Sequence, residues 1–357
     1  MSGTTDILIV GGGLAGLSLA DQLHRTGRDF QLVEARDRLG GRILTEHCGA
    51  GYFDMGPAWF WPGQPRIAAL IERFRLKHFE QHHTGILSYE DEQGHVQRGK
   101  GFASMQGSYR LEGGLQSLID ALAKGLPQNH IHLDSVLHRI EQTADGIAGF
   151  LSDECTTKAR HVVLTTPPRV AAELITFHPA LPVATTDIMH NIPTWMAGQA
   201  KAIATYDRPF WRDQGLSGDA TSRIGPLVEI HDASPETGGP FALFGFIGVP
   251  PKGRLDQALL KQHTLAQLGR VFGPAASEPK TFYIRDWATE PYTATPRDHA
   301  PLYAHPQYGL PAALDGIWDG KIMFGGTEVA RQFGGYLEGA LEGAEMVFSK
   351  LAPAVSA

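Results

Sequence analysis

The stretch Asp6-Ile7-Leu8-Ile9-Val10-Gly11-Gly12-Gly13-Leu14-Ala15-Gly16 begins as an unbroken apolar run and ends as a glycine turn. Four successive apolar residues, Ile7 to Val10, suit a parallel strand covered on both faces. Gly11 permits the tight turn, Gly13 lets the backbone approach a pyrophosphate, and Gly16 lets the next helix pack closely on the strand. That helix starts at Leu14 and Ala15, where free N–H groups and a partial positive charge await a phosphate. A second strand, Phe30 to Val33, ends at Glu34, whose carboxylate can accept both hydroxyls of an adenosine ribose. A glycine triplet alone says little; strand, helix and acid together describe an adenine-dinucleotide pocket. Arg38-Leu39-Gly40-Gly41-Arg42 adds a second glycine pair and points to FAD rather than NAD.

With 357 residues the chain has room for about two domains. A hydrophobic content of 42% and a charged content of 19% are ordinary for a soluble globular protein. The net charge of −7, with no basic tract, argues against nucleic acid as a partner. No apolar run approaches the roughly 20 residues of a membrane span. Cys48 and Cys155 are far apart and lack metal-ligand spacing, which implies thiols in a reducing compartment. The first strand begins by about residue 6, leaving no space for a signal peptide. The expectation is a soluble cytoplasmic protein.

Past the first βαβ unit, residues 35–45 form a loop that returns toward the cofactor. Gly56-Pro57-Ala58 and the cluster Trp59, Phe60, Trp61 are placed beside a ring system. Pro65 to Phe79 has helical periodicity, and Tyr89 to Arg98 reads as a hairpin turning at Gln93-Gly94. His78 and His82 are spaced to share a helix face, beside His83; without a third ligand they read as a solvated face and not a zinc site, and no metal is expected. Helices are expected at Leu115 to Leu126, Asp256 to Phe272 and Gly335 to Leu351. Lys201 to Tyr206, Leu227 to His231, Phe241 to Val249 and Lys280 to Trp287 read as strands of a second sheet. The fold class is α/β: a doubly wound, Rossmann-like FAD-binding domain from residues 1–64, 107–190 and 286–357. A second, smaller α+β substrate domain takes residues 65–106 and 191–285, with the pocket between the two.

These motifs together resemble the flavin-containing amine oxidase family, which includes monoamine and polyamine oxidases. Glu34-Ala35-Arg36-Asp37-Arg38-Leu39-Gly40-Gly41-Arg42 is similar to its second FAD motif, where the acid holds ribose while arginines and glycine amides hold the diphosphate. Gly56-Pro57-Ala58-Trp59 is similar to the segment along the flavin ring. Val136 sits where the family contacts adenine through the backbone, and Thr166 joins the cofactor set. Gly325-Gly326-Thr327-Glu328 and Gly334-Gly335-Tyr336-Leu337 resemble the C-terminal motif that brings a helix start to the flavin.

The resemblance assigns three chemical roles. Lys201 aligns with the lysine that holds a water against flavin N5, Trp287 with an aromatic near the flavin, and Tyr336 with one wall of an aromatic cage for the amine. Trp61 and Arg297 are substrate candidates; Arg297 reads as a solvated loop residue that would clamp a carboxylate if it faced the pocket. The chain departs from the family in three places. Tyr292 to Arg297 contains no cysteine, so FAD should be non-covalent; the second cage wall is missing; and the block between about Pro65 and Gly107 is short. The implied reaction is oxidative deamination of a primary or secondary amine, or an amino acid, by hydride transfer, with oxygen as acceptor giving hydrogen peroxide. A dehydrogenase or desaturase, or a renalase-like oxidase of reduced nicotinamides, is the alternative reading, and a non-catalytic flavoprotein the third. Partners beyond substrate and acceptor, and the oligomeric state, are left open.

Overall fold

The computed structural model describes residues 2–300, 302 and 304–351. Its first sheet has eight strands, and the opening strand, Ser2–Val10, lies near the middle. On one side it runs parallel to Phe30–Val33, which pairs in turn with Ile131–His132. On the other it runs parallel to the nine-residue strand Thr156–Leu164. The first half of that strand pairs antiparallel with Gly146–Leu151, and its second half pairs parallel with Ile322–Phe324. One long strand thus changes neighbours midway and takes the C-terminal strand into the sheet beside the first motif. Residues 352–357, the end of the expected cofactor unit, lie outside the described residues.

Both faces are covered, as the apolar run at Ile7–Val10 demands. Side chains of Ile7 and Ile9 pack under the helices Leu14–Arg25, Gln116–Lys124, Pro65–Phe74 and Leu337–Leu351. Leu8 and Val10 enter a second core with Ile140, Ile147, Val162 and Phe324. The alternation follows the period of two along a strand. This is the α/β architecture expected.

The second sheet has seven strands and is antiparallel except where Leu216–Ser222 runs beside Ile86–Glu90. At its centre Ala200–Tyr206 pairs with Phe241–Ile247, and that strand with Leu227–Asp232. The Ala200, Ala202 and Ala204 face packs with Leu268, Val271 and Phe272 of the helix Gln257–Phe272. Asp256 caps this helix by accepting from Leu259 N at 2.9 Å. The opposite face, with Lys201 and Phe246, turns toward the first sheet and lines the cavity described next.

Several local expectations shift. The helix from Pro65 stops at Phe74, because Arg75 adopts a left-handed φ of 52° and ends it. His78 therefore lies on a short strand, His78–Glu80, and shares no helix face with His82. Among the described residues no group of three or more His, Cys, Asp or Glu is placed to hold a metal. The helix Val183–Asn191 and the hairpin of Thr45–Cys48 with Gly51–Asp54 carry no strong periodic signal and were not anticipated. Cys48 and Cys155 form no disulfide, and no helix among the described residues is long and apolar enough to cross a membrane.

Candidate active site

A cavity of about 680 Å³ runs between the two sheets, from Ser135 and Ile175 at one end to Lys201, Trp59 and Tyr336 at the other. Two glycine turns meet at its middle. Gly11 and Gly40 have φ of 111° and 107°, conformations closed to most side chains. Gly40 N donates to Gly12 O at 2.9 Å, and a Cβ built on Gly13 would lie 3.8 Å from Gly40 O. Gly11, Gly13, Leu14, Ala15, Gly40, Gly41 and Arg42 all face the cavity. Gly16 does not; a Cβ there would lie 1.9 Å from Gly11 O, so its role is to let helix and turn touch.

Glu34 stands at the end of its strand, buried, with both carboxylate oxygens engaged. Gly12 N donates to Oε2 at 2.6 Å and Arg36 N to Oε1 at 3.0 Å. Arg36 is held by Thr293 Oγ1 at 2.9 Å and Glu290 at 3.1 Å. Glu34, Ala35 and Arg36 line the cavity, as do Val136 and Thr166. Val136 already exchanges backbone hydrogen bonds with Ser152, donating to Oγ at 3.2 Å and accepting from N at 2.9 Å. Thr166 Oγ1 is buried without a partner. Sequence reasoning missed its neighbour Thr165, whose hydroxyl ties Val10 O at 2.9 Å to the glycine turn.

At the other end Lys201 is only 3% exposed. Its Nζ donates to Asp54 O at 3.0 Å and Gly56 O at 2.7 Å, and stands 4.5 Å from the centre of the Phe244 ring. Burial lowers its pKa to about 7, with the Asp54 carboxylate opposing that shift. The Trp287 indole N–H donates to Met55 O at 3.0 Å, placing that ring beside Gly56. Gly56, Pro57, Ala58, Trp59, Trp61, Trp287, Thr327, Gly335, Tyr336 and Leu337 line this end. Tyr336 is 41% exposed and stacks on His305 at 4.9 Å and 12°, and Trp195 packs against the same imidazole at 4.8 Å.

Besides Gly16, three expected residues lie away from the cavity. Gly326 sits behind it, close to Thr165 O. Glu328 is fully buried and pairs with Arg42 at 2.7 Å, although neither of its oxygens is aligned for a hydrogen bond. Arg297 lies exposed on the 3-10 turn Pro296–His299, as a solvated loop residue, and outside the cavity where a carboxylate clamp would stand. That turn is pinned by its neighbour Asp298, which accepts from Thr295 N at 2.8 Å and pairs with the buried Arg169.

One acidic residue in the cavity was not anticipated. Lys201 lies opposite Phe246 in register, and Phe246 lies opposite Glu229. The three side chains line the cavity in a row across three strands. Strands are about 4.8 Å apart, which puts the Lys201 and Glu229 backbones about 10 Å apart. A bulge makes this possible. Pairing steps from Leu227–Ile247 to Glu229–Phe246, so Val228 is the extra residue and Glu229 is turned to the cavity face. Gly248 leaves the room, since a Cβ there would lie 2.2 Å from Val228 Cγ1.

Fold and site together define a dinucleotide-dependent oxidoreductase with a buried lysine at one end of its cavity. The chain matches the flavin containing amine oxidoreductase family over residues 14–103 and 94–347, and it belongs to that family. It is thus a flavin-dependent oxidoreductase of the amine oxidase type. It is 23% identical to a probable flavin-containing monoamine oxidase A of Dictyostelium discoideum, with 96% of each chain covered. It is 24% identical to the putative flavin-containing monoamine oxidase AofH of Mycobacterium tuberculosis, over 98% of this chain and 97% of that one. Among solved structures, wild-type putrescine oxidase bound to putrescine superposes with a TM-score of 0.80 at 20% identity, covering 98% and 99%. The family match breaks at residues 94–103, within the segment that reads as short in the sequence.

The residues present fit FAD. The cavity is long and mostly apolar, the facing glycine turns are open toward it, and Thr166 Oγ1 awaits a polar partner. Arg36 and Arg42 supply the cations that a diphosphate needs at that point.

Proposed function

We propose that this chain oxidatively deaminates a primary or secondary amine with non-covalent FAD, oxygen accepting the electrons to give hydrogen peroxide. The observation that carries the reading is Lys201, buried among Trp59, Phe244 and Phe246 and anchored to the carbonyls of Asp54 and Gly56. FAD, when bound, supplies the two-electron acceptor for the amine's α C–H bond. Glu34, Arg36, Arg42 and the glycines Gly11, Gly13, Gly40 and Gly41 would hold it. With two N–H groups committed to carbonyls, the Lys201 ammonium keeps a third for a water in the cavity. Its lowered pKa lets it pass between charged and neutral forms near pH 7. Trp287 fixes the Gly56 segment, and the aromatic rings exclude bulk water from the reacting carbon. Tyr336, backed by His305, gives a flat wall along which a neutral amine nitrogen can lie.

Glu229 sets the substrate class. A carboxylate in a largely apolar cavity repels a substrate carboxylate and attracts a cation; the cavity arginines, Arg36 and Arg42, belong with the glycine turns, and Lys201 lies two strands away. The substrate is an amine bearing a second positive group toward its far end, rather than an amino acid.

Anaerobic mixing with amines while following flavin absorbance tests the reaction. Bleaching by an alkyl amine, then peroxide on admitting air, is the expected result. Bleaching by reduced nicotinamides alone would replace the reading with the alternative chemistry. Acid precipitation should release all the flavin into the supernatant, since Tyr292 to Arg297 offers no cysteine; flavin retained in the pellet would overturn the non-covalent assignment.

A further inference from the structure

Behind Glu229 lies a buried cluster that the proposed chemistry does not use. His231 is 1% exposed, two residues further along the same strand and on the same face. Its Nδ1 lies 2.7 Å from Asp219 Oδ1 and its Nε2 lies 2.9 Å from Glu229 Oε1. Carboxylates accept, so both ring nitrogens must donate, and the ring is an imidazolium. Phe244 lies over it at 5.3 Å, a favourable contact for a buried cation, and Trp59 meets it at 74° with ring centres 5.4 Å apart. Burial works against the charge, but the bonds and charges of Asp219 and Glu229 outweigh it and hold the His231 pKa above the ordinary imidazole value.

Glu229 is thus gripped through one oxygen. Oε1 takes the His231 N–H and the Ser104 hydroxyl, while Oε2 has no hydrogen-bond partner among the described residues. Two carboxylates and one imidazolium leave one net negative charge, and Glu229 carries it as a residue lining the cavity. A glutamate on a strand has three torsions to order; a bond to a ring that is itself locked by Asp219 removes most of that freedom before any ligand arrives.

We infer that Asp219 and His231 are positioning residues that hold the free oxygen of Glu229 toward the cavity, and so set the preference for a substrate with a second cationic group. The inference rests on the second-cation reading of Glu229 given above. His231 does not itself reach the substrate; it acts through Glu229 alone.

The test compares 1,4-diaminobutane with n-butylamine as substrates of the holoenzyme, for the parent, Glu229→Gln, His231→Gln, Asp219→Asn and the Glu229→Gln/His231→Gln double variant. In Glu229→Gln the ratio of KM for diamine over monoamine should rise at least about tenfold, the scale of one charged hydrogen bond. His231→Gln and Asp219→Asn should raise the same ratio several-fold, with the change in KM and not in kcat. The double variant should match Glu229→Gln alone, because His231 has nothing left to orient. No change of ratio in Glu229→Gln would remove the second-cation reading itself. A changed ratio there with an unchanged ratio in both His231→Gln and Asp219→Asn would overturn the positioning role and leave that reading standing. Additive effects in the double variant would overturn it too. Should His231→Gln fail to fold, Asp219→Asn, which keeps the same shape, carries the comparison.

Discussion

Lys201→Met should lower amine turnover by about 100-fold, the usual loss when one buried proton donor leaves a reacting centre. Stopped-flow separation of flavin reduction from reoxidation reads this, and a loss under about threefold in both steps would remove Lys201 from the chemistry. The same substitution has a second, opposite consequence for stability. The folded-state pKa of Lys201 is lowered, by burial first, from 10.5 to about 7. An unfolded chain would therefore bind more protons than the folded one between about pH 7 and pH 10.5, and the stability of the parent should climb with pH across that window. Methionine neither titrates nor needs hydration. The variant should compare best with its parent near pH 6, where the buried ammonium is fully charged, and lose that advantage toward pH 10.5. Urea denaturation of both apo-proteins at pH 6 and pH 10 measures it. A constant difference across that range would mean that Lys201 is not buried as a charge. A residue that is costly to the fold and kept at the reactive end is what a functional site looks like in energetic terms.

What could be read from the sequence was local. The glycine turn, the acid at Glu34 and the pair Gly40-Gly41 each state their geometry within a few residues, and the structure brings all three to one cavity. Lys201 was singled out because it lies in an apolar strand just ahead of Phe210-Trp211 and matches a family position. Glu229 and its support could not be found that way. Asp219, Glu229 and His231 meet through the pairing of Ala220 with Ile230 and Thr221 with Glu229, and Glu229 faces the cavity only because Val228 bulges. Strict alternation would have put Glu229 on the other face, with Leu227 deciding the register. A clue was present in Gly245, since glycine inside a strand marks a bulge or close approach, and in Gly248 just past the end of that strand.

The misreadings have equally local causes. Arg297 was weighed for the pocket because it falls where the family carries an aromatic cage wall, but a loop does not preserve spacing. Here the Thr295–Asp298 capping box turns the chain and leaves the arginine outside. The histidines at 78 and 82 were put on a helix because their spacing suited one. Arg75, a residue with no special turn propensity, ends that helix in a left-handed conformation, and nothing in the periodicity announces it.

Arg42→Met should cost about 3–5 kcal/mol of stability, the range for removing one partner of a buried ion pair. Glu328 is fully buried, neither oxygen has a hydrogen bond, and Arg42 at 2.7 Å is its counter-charge. In the variant the carboxylate is left buried without its counter-charge. Arg42 also faces the cavity where the two glycine turns meet, so the variant should lose flavin on gel filtration. These two losses have separate origins, and a second substitution separates them. In Arg42→Met/Glu328→Gln the buried charge is gone, and thermal unfolding should recover most of the lost stability. The flavin-to-protein absorbance ratio should stay low, because the cation facing the diphosphate is still missing. Recovery of both would mean that Arg42 serves the fold alone and that the diphosphate is held by Arg36 and the glycine amides.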